Sequence, residues 1–118
     1  VREGVTLHHE DERLLADIVG FIEKNIDDEA LNPTSVSDFI GMGKTSLYEK
    51  LKELTGKTPG EYIRMVRLDH ASKLLKTTQL TVQEVMYKSG FSSKSYFYKE
   101  FAARFGSSPK EYRKANSL

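Results

Sequence analysis

Lys44, Thr45, Tyr48, Glu49 and Lys52 follow one another at helical intervals, and fifty residues on stand Lys94, Ser95, Tyr98 and Lys99. On an α-helix such intervals gather side chains onto one face. Ammonium, hydroxyl and carboxylate groups placed this way form hydrogen bonds to base edges or to phosphate oxygens. No serine, histidine and aspartate constellation and no phosphate-cradling glycine loop accompanies them, so an enzyme reading has no support. Glu84 and Glu111 each stand three residues after a hydroxyl residue, Thr81 and Ser108, which is capping-box spacing rather than acid/base chemistry. His8 and His9 are adjacent, His70 is isolated and cysteine is absent. Neither a metal site nor a cofactor is expected from that set.

The elements that must carry these faces announce themselves as a repeat. Leu47-Tyr48 returns as Phe97-Tyr98, Leu51 as Phe101, Gly56 as Gly106, Pro59 as Pro109 and Glu61-Tyr62 as Glu111-Tyr112. Upstream the register slips by one, Val36, Gly41 and Met42 answering to Val85, Gly90 and Phe91. The second copy thus holds one extra residue in the turn before its long helix. Two copies are too few for a solenoid. Each copy reads as a short helix, a glycine-containing turn and a longer helix, the outline of a helix-turn-helix.

Apolar periodicity and caps predict an all-α fold of seven helices, with two helix-turn-helix subdomains joined by a long linker helix. Residues 1–10 read as a flexible tether, followed by one domain over 11–118. Leu14, Leu15, Ile18, Val19 and Ile22 place the first helix from Asp11 to about Asn25. The first helix-turn-helix unit spans about 34–56, its short helix carrying Val36, Phe39 and Ile40. The linker helix spans about 59–76 and the second unit about 81–106, with Phe97, Phe101 and Phe105 as its core stripe. Ser92 or Ser93 caps the second long helix.

Charge is divided as sharply as the helices. The net value is +1 over 118 residues, yet residues 1–43 hold three basic and ten acidic side chains, a net of −7. Residues 44–118 hold fifteen and seven, a net of +8. A basic part of this kind points to nucleic acid or another anionic surface. No apolar run approaches the ~20 residues of a membrane span, so no membrane contact is expected from this segment. The absence of cysteine is compatible with a reducing, cytoplasmic setting. The chain opens on Val1 rather than methionine, which suggests a piece of a longer protein.

In a helix-turn-helix the second helix enters the major groove and its N-terminal residues meet base edges. Lys44 and Lys94 occupy those starts. Thr45, Glu49 and Lys52 lie opposite the buried Leu47, Leu51 and Leu54; Ser95 and Lys99 lie opposite the phenylalanines. Tyr48 and Tyr98 flank the faces, each able to edge the core or to reach the DNA backbone. Glu49 reads equally as a specificity residue or a surface charge. Arg64 and Arg67 are expected to pair with neighbouring carboxylates on the linker helix, phosphate contact being the other reading. A linker of this length spans roughly 25 Å at ~1.5 Å per residue. That falls short of the ~34 Å groove repeat and would favour bent DNA.

The ordered set goes further than its parts. Leu47-Tyr48 through Lys50-Leu51-Lys52, Leu54-Thr55-Gly56, Pro59 and Glu61-Tyr62-Ile63-Arg64 form its first half. Arg67-Leu68, Ala71, Leu74-Leu75, Gly90-Phe91-Ser92-Ser93 and Ser95-Tyr96-Phe97 form its centre. Phe101, Phe105-Gly106 and Ser108-Pro109-Lys110-Glu111-Tyr112-Arg113 complete it. Together, over about residues 30–113, they resemble the C-terminal DNA-binding domain of AraC/XylS-type bacterial transcription regulators. The acidic lead-in helix and the first repeat are most similar to versions that end hybrid two-component sensors.

The resemblance implies a seven-helix domain that binds double-stranded DNA sequence-specifically through two recognition helices in successive major grooves, most often as the output of an activator. It implies as partners RNA polymerase and an upstream sensor or receiver domain of the same longer chain, whose parent would be membrane-anchored if it is a hybrid sensor. Three positions depart from the pattern: Glu49 where arginine is common, Gly43 at a frequent serine cap, and Met86 for a usual alanine. The first unit is therefore expected to contribute less affinity than the second, which Lys94 and Lys99 anchor. The alternative is a helical protein-interaction module without sequence-specific DNA binding, docking another domain through its acidic first helix.

Overall fold

Reciprocal caps start four of the helices. In the computed structural model, which describes residues 9–116, the helices are α1 (His9–Lys24), α2 (Pro33–Ile40), α3 (Lys44–Thr55), α4 (Pro59–Thr77), α5 (Val82–Lys88), α6 (Lys94–Phe105) and α7 (Pro109–Asn116). At α4 the Thr58 N–H donates to Glu61 Oε1 at 2.8 Å while the Glu61 N–H donates to Thr58 Oγ1 at 3.2 Å. Thr81 with Glu84 and Ser108 with Glu111 repeat the exchange at α5 and α7. Asn32 with Ser35 does the same for α2. Each box satisfies two backbone donors that a helix start would otherwise leave open.

Seven helices and no strand occur among the described residues, which is the predicted all-α architecture. Most of the expected tether over residues 1–10 lies outside them. His9 and Glu10 belong to the first turn of α1, so that helix begins ahead of the predicted Asp11. No helix among the described residues is long and apolar enough to cross a membrane.

The chain divides into two compact units. The first holds α1, α2, α3 and the start of α4 through Ile63; the second holds the rest of α4, α5, α6 and α7 with the short Ile26–Glu29 segment. In the first unit Ile18 and Ile22 of α1, Val36 of α2, and Leu47 and Leu51 of α3 are each no more than 1% exposed. Asp11 of α1 and Lys50 of α3 pair at 3.1 Å on the rim. Phe39, expected on the apolar side of α2, is instead 59% exposed. Val36 and Ser37 are the buried residues of this two-turn helix, and Phe39 stacks on Phe21 of α1 with ring centroids 4.4 Å apart.

The second unit is built around Phe97 and Phe101, both 0% exposed, packed with Leu68, Ala71, Leu75, Val85 and Met86. Burying side chains of this size contributes about 1.5–3 kcal/mol each. Phe105 sits at the edge of that cluster, half-buried, with its ring 4.6 Å from Phe101. Met86, bulkier than the alanine common at its position, is taken up in the core at 3% exposure. Its unbranched side chain suits irregular space.

One glycine shapes this unit. Gly90, after α5, has φ 89°, and a Cβ there would overlap the Ile26 carbonyl oxygen and come within 2.5 Å of Arg67 Nε. Arg67 fills that gap itself. Its Nε donates to Ile26 O at 3.2 Å and its Nη2 to Asp28 O at 3.1 Å. The expected partners on the linker helix are thus replaced by main-chain carbonyls of the Ile26–Glu29 segment. Burial lowers the Arg67 pKa, against an opposing pull from the Asp28 carboxylate.

Candidate nucleic-acid interface

The longer helices of the two repeats share a plan. Each is a twelve-residue helix closed by a left-handed glycine, Gly56 at φ 77° and Gly106 at φ 78°. Such a C-cap favours glycine because it lacks the Cβ that strains this conformation. α3 turns Leu47 and Leu51 inward, and Lys44, Thr45, Glu49 and Lys52 are exposed, with Tyr48 at 47%. α6 turns Phe97 and Phe101 inward and exposes Lys94, Ser95 and Lys99. Eight of the nine sequence-nominated residues are therefore exposed on the outer sides of these two helices, with Tyr98 half-buried at the flank of α6.

Their surroundings differ in detail. Gly43 starts α3 without any side-chain cap, whereas Ser93 Oγ accepts from the Tyr96 N–H at 3.3 Å to start α6. Tyr48 projects outward. Tyr98 is half-buried, meeting Phe97 edge-on at 6.0 Å, and the Lys94 ammonium lies 5.6 Å from its ring centroid. A cation over a phenol ring gains about 0.5–1 kcal/mol at an exposed site. Tyr98 thus edges the core and steadies Lys94. Lys52 Nζ donates to the Gly56 carbonyl at 3.2 Å, close to its own helix end. Lys50, by contrast, is committed to Asp11 of α1. The hydrogen bond to Asp11 raises its pKa, with the Asp11 charge adding to the effect.

The rear of α6 is fastened to α4 twice. Arg64 Nε lies 3.2 Å from Glu100 Oε1 and its Nη1 3.3 Å from the Tyr96 hydroxyl. One turn and more further on, Arg104 holds Asp69 bidentately. Arg64 therefore pairs with a carboxylate of α6. His70 also turns inward, Nδ1 lying 3.0 Å from Oγ of the fully buried Ser89.

Sequence reasoning missed a cleft beside the start of α6. It has a volume of ≈ 170 Å³ and is lined in part by Gln83, Tyr87, Ser92, Lys94 and Tyr98. Its wall holds an amide, hydroxyls and an ammonium beside the apolar Val82 and Met86, and such donors suit an anionic oxygen such as a phosphate. Gln83 lies within the Thr81–Glu84 capping box. Its place in the cleft depends on the turn that brings α5 to the start of α6. In the first copy the positions answering to Gln83 and Tyr87 are Thr34 and Asp38. The carboxylate of Asp38 makes that counterpart less suited to an anion.

Known proteins share this plan. The model of a family described as "Helix-turn-helix domain" matches residues 36–115. Histidine kinase P4 of Formosa agariphila is 33% identical over 109 residues, covering 92% of this chain and 8% of that protein. The crystal structure of an AraC-type transcriptional regulator from Chromobacterium violaceum superposes with a TM-score of 0.84 at 25% identity, covering 92% and 96% of the two chains. The DNA-binding domain of the global transcriptional factor AdpA, in complex with a target DNA, gives a TM-score of 0.77 at 27% identity, covering 86% and 90%. The chain spans between 8% and 34% of the lengths of the curated relatives it matches. A double helix-turn-helix of this construction, matched over most of its length, belongs to the AraC-type DNA-binding domains of transcriptional regulators.

Proposed function

We propose that the domain reads a two-part site in duplex DNA, α3 and α6 each entering one of two successive major-groove segments. Lys44, Thr45, Tyr48, Glu49 and Lys52 face the DNA from α3, and Lys94, Ser95, Tyr98 and Lys99 from α6. The carrying observation is that eight of the nine are exposed on two helices whose inner sides are buried, while Tyr98 flanks the second. The net charge of +8 over residues 44–118 adds the electrostatic attraction that duplex binding needs. The DNA bound to AdpA, a structural relative, supports the same reading.

Affinity is led by the second unit. Lys94, Lys99 and the Gln83–Tyr87–Ser92 cleft give it more donors than α3, where Glu49 faces outward. The domain serves transcription regulation, as an activator that contacts RNA polymerase and answers to a sensor or receiver domain of the same longer chain. It acts in the cytoplasm, where bacterial DNA lies. The supports here are the family resemblance and, for the sensor, the likeness to a histidine kinase.

The test is a selection from genomic DNA followed by titration of a selected duplex at several salt concentrations. Enriched sites with two boxes about one turn apart, and affinity falling steeply with salt, are expected. Equal affinity for random DNA, or flat salt dependence, would replace this reading with a protein-interaction module.

A further inference from the structure

The exposed side of α1 carries small, charged and aromatic residues in a regular pattern. Ala16, Asp17, Gly20, Phe21 and Lys24 share one helical face and, with Phe39 of α2, line an open groove of ≈ 450 Å³. Gly20 sits in mid-helix, where glycine is unfavourable, and a Cβ there would meet nothing within 4 Å. Asp17 and Lys24 are both exposed, and neither forms an ion pair among the described residues. They stand too far apart on the helix to pair with each other.

We infer that this face binds a second copy of the chain, α1 against α1, in an antiparallel two-fold contact. The pattern is self-complementary about a point midway between Gly20 and Phe21. With the axis there, each Phe21 ring meets the space over the partner's Gly20, and each Asp17 meets the partner's Lys24. Phe39, stacked on Phe21, closes the rim. A contact that repeats itself under a two-fold axis is the commonest basis of homodimers. Its small area makes it weak, so it forms at high local concentration. The nine DNA-facing residues all lie on α3 and α6, so this contact is separate from the proposed DNA surface.

The experiment is sedimentation equilibrium of the 118-residue chain without DNA, up to millimolar concentration. The unmodified chain dimerises. Asp17→Lys alone and Lys24→Asp alone each place like charges together and weaken dimerisation about tenfold or more. Mixed in equal amounts, the two variants restore attraction in both pairs and form a heterodimer as tight as the unmodified dimer. The double variant Asp17→Lys/Lys24→Asp also regains association. A chain monomeric at every concentration overturns the inference. So does a single variant that dimerises like the parent, or a mixture that forms no heterodimer. Because no DNA is present, these outcomes are independent of the DNA-binding reading.

Discussion

Arg104 grips Asp69 through two parallel hydrogen bonds, Nε to Oδ1 at 2.7 Å and Nη2 to Oδ2 at 3.0 Å. With Arg64 on Glu100, this gives α6 two fastenings to α4 whose charges run in opposite senses, the cation on α4 in one pair and on α6 in the other. Slippage of α6 along α4 would bring like charges toward each other. A recognition helix held in this way presents its side chains with less freedom to lose on binding.

Asp69→Asn is accordingly expected to remove about 0.5–1 kcal/mol of stability, the range for a well-formed exposed ion pair. Duplex affinity should fall as well, since α6 loses a fastening although Asp69 itself is not among the residues proposed to face DNA. Charge exchange in the double variant Asp69→Arg/Arg104→Asp should recover part of both losses. Urea denaturation and duplex titration of the three proteins measure this; unchanged affinity in Asp69→Asn would show that the pair does not orient α6.

Gly90→Ala should be the more damaging change. A side chain at φ 89° is strained, and the new methyl would meet the Ile26 carbonyl and Arg67 Nε. Strain and overpacking together predict a loss of about 2–4 kcal/mol. Gly20→Ala, on an open helix surface, should instead stabilise by up to about 1 kcal/mol. Thermal unfolding of both variants checks the contrast, and a Gly90→Ala protein as stable as the parent would contradict the packing described.

What the sequence disclosed and what it concealed follow from the range of the interactions. Caps such as Thr58–Glu61 and Ser108–Glu111, and stripes such as Phe97–Phe101, act within one or two turns, so residue order alone reveals them. Arg67 bonds carbonyls some forty residues away, and Arg64 reaches Glu100 across a comparable gap. Periodicity says which side of α4 faces inward, not which neighbour waits there. Tyr48 and Tyr98 hold the same place in the repeat, yet one projects and the other edges the core beside Phe97. The exposure of eight of the nine nominated side chains was legible because a helix face is a local property. The cleft of Gln83, Tyr87 and Ser92 was not, because it arises where two helices meet.

The capping carboxylates set an acid limit. Hydrogen bonds from the backbone N–H groups first, and from the hydroxyls second, hold Glu84 and Glu111 below the usual carboxylate pKa. The folded form thus favours the ionised groups. Their contribution is complete above the unfolded value of about 4.3 and is lost as pH falls through the lower folded values. Glutamine keeps the cap without the titration. In Glu84→Gln/Glu111→Gln, stability should therefore decline less steeply below about pH 4.3. Parallel denaturation series across that range test it; identical slopes would place the acid sensitivity elsewhere.

Ser95 and Lys52 should separate two kinds of contact. On the proposed reading Ser95, at the start of α6, meets a base edge, so Ser95→Ala should relax preference at one base pair by about 1–3 kcal/mol. Lys52 lies near the end of α3, where a groove-bound helix leaves the base edges. Lys52→Ala should weaken all sequences alike and reduce the salt slope by about 1. Binding to a panel of single-base variants of the selected site, at two salt concentrations, distinguishes them. Equal profiles for the parent and both variants would remove α3 and α6 from the DNA surface.

Glu49 offers the sharpest test of the first unit. It is exposed in the middle of the α3 face, at the position answering to Lys99 in α6. A carboxylate there repels every phosphate but accepts a hydrogen bond from the amino group of cytosine. Glu49→Lys should therefore raise affinity for all duplexes and steepen the salt slope by about 1–2, the change in neutralised phosphates. At the same time it should abolish preference for cytosine at one position of the first box, a loss of about 1–3 kcal/mol in discrimination. Glu49→Gln removes the repulsion yet keeps an acceptor and adds a donor, so it should widen that preference rather than erase it. Selections with the three proteins read out both effects. If the first box is unchanged in all three while overall affinity rises, Glu49 acts only as a brake on non-specific binding and specificity in α3 rests on Thr45 and Tyr48.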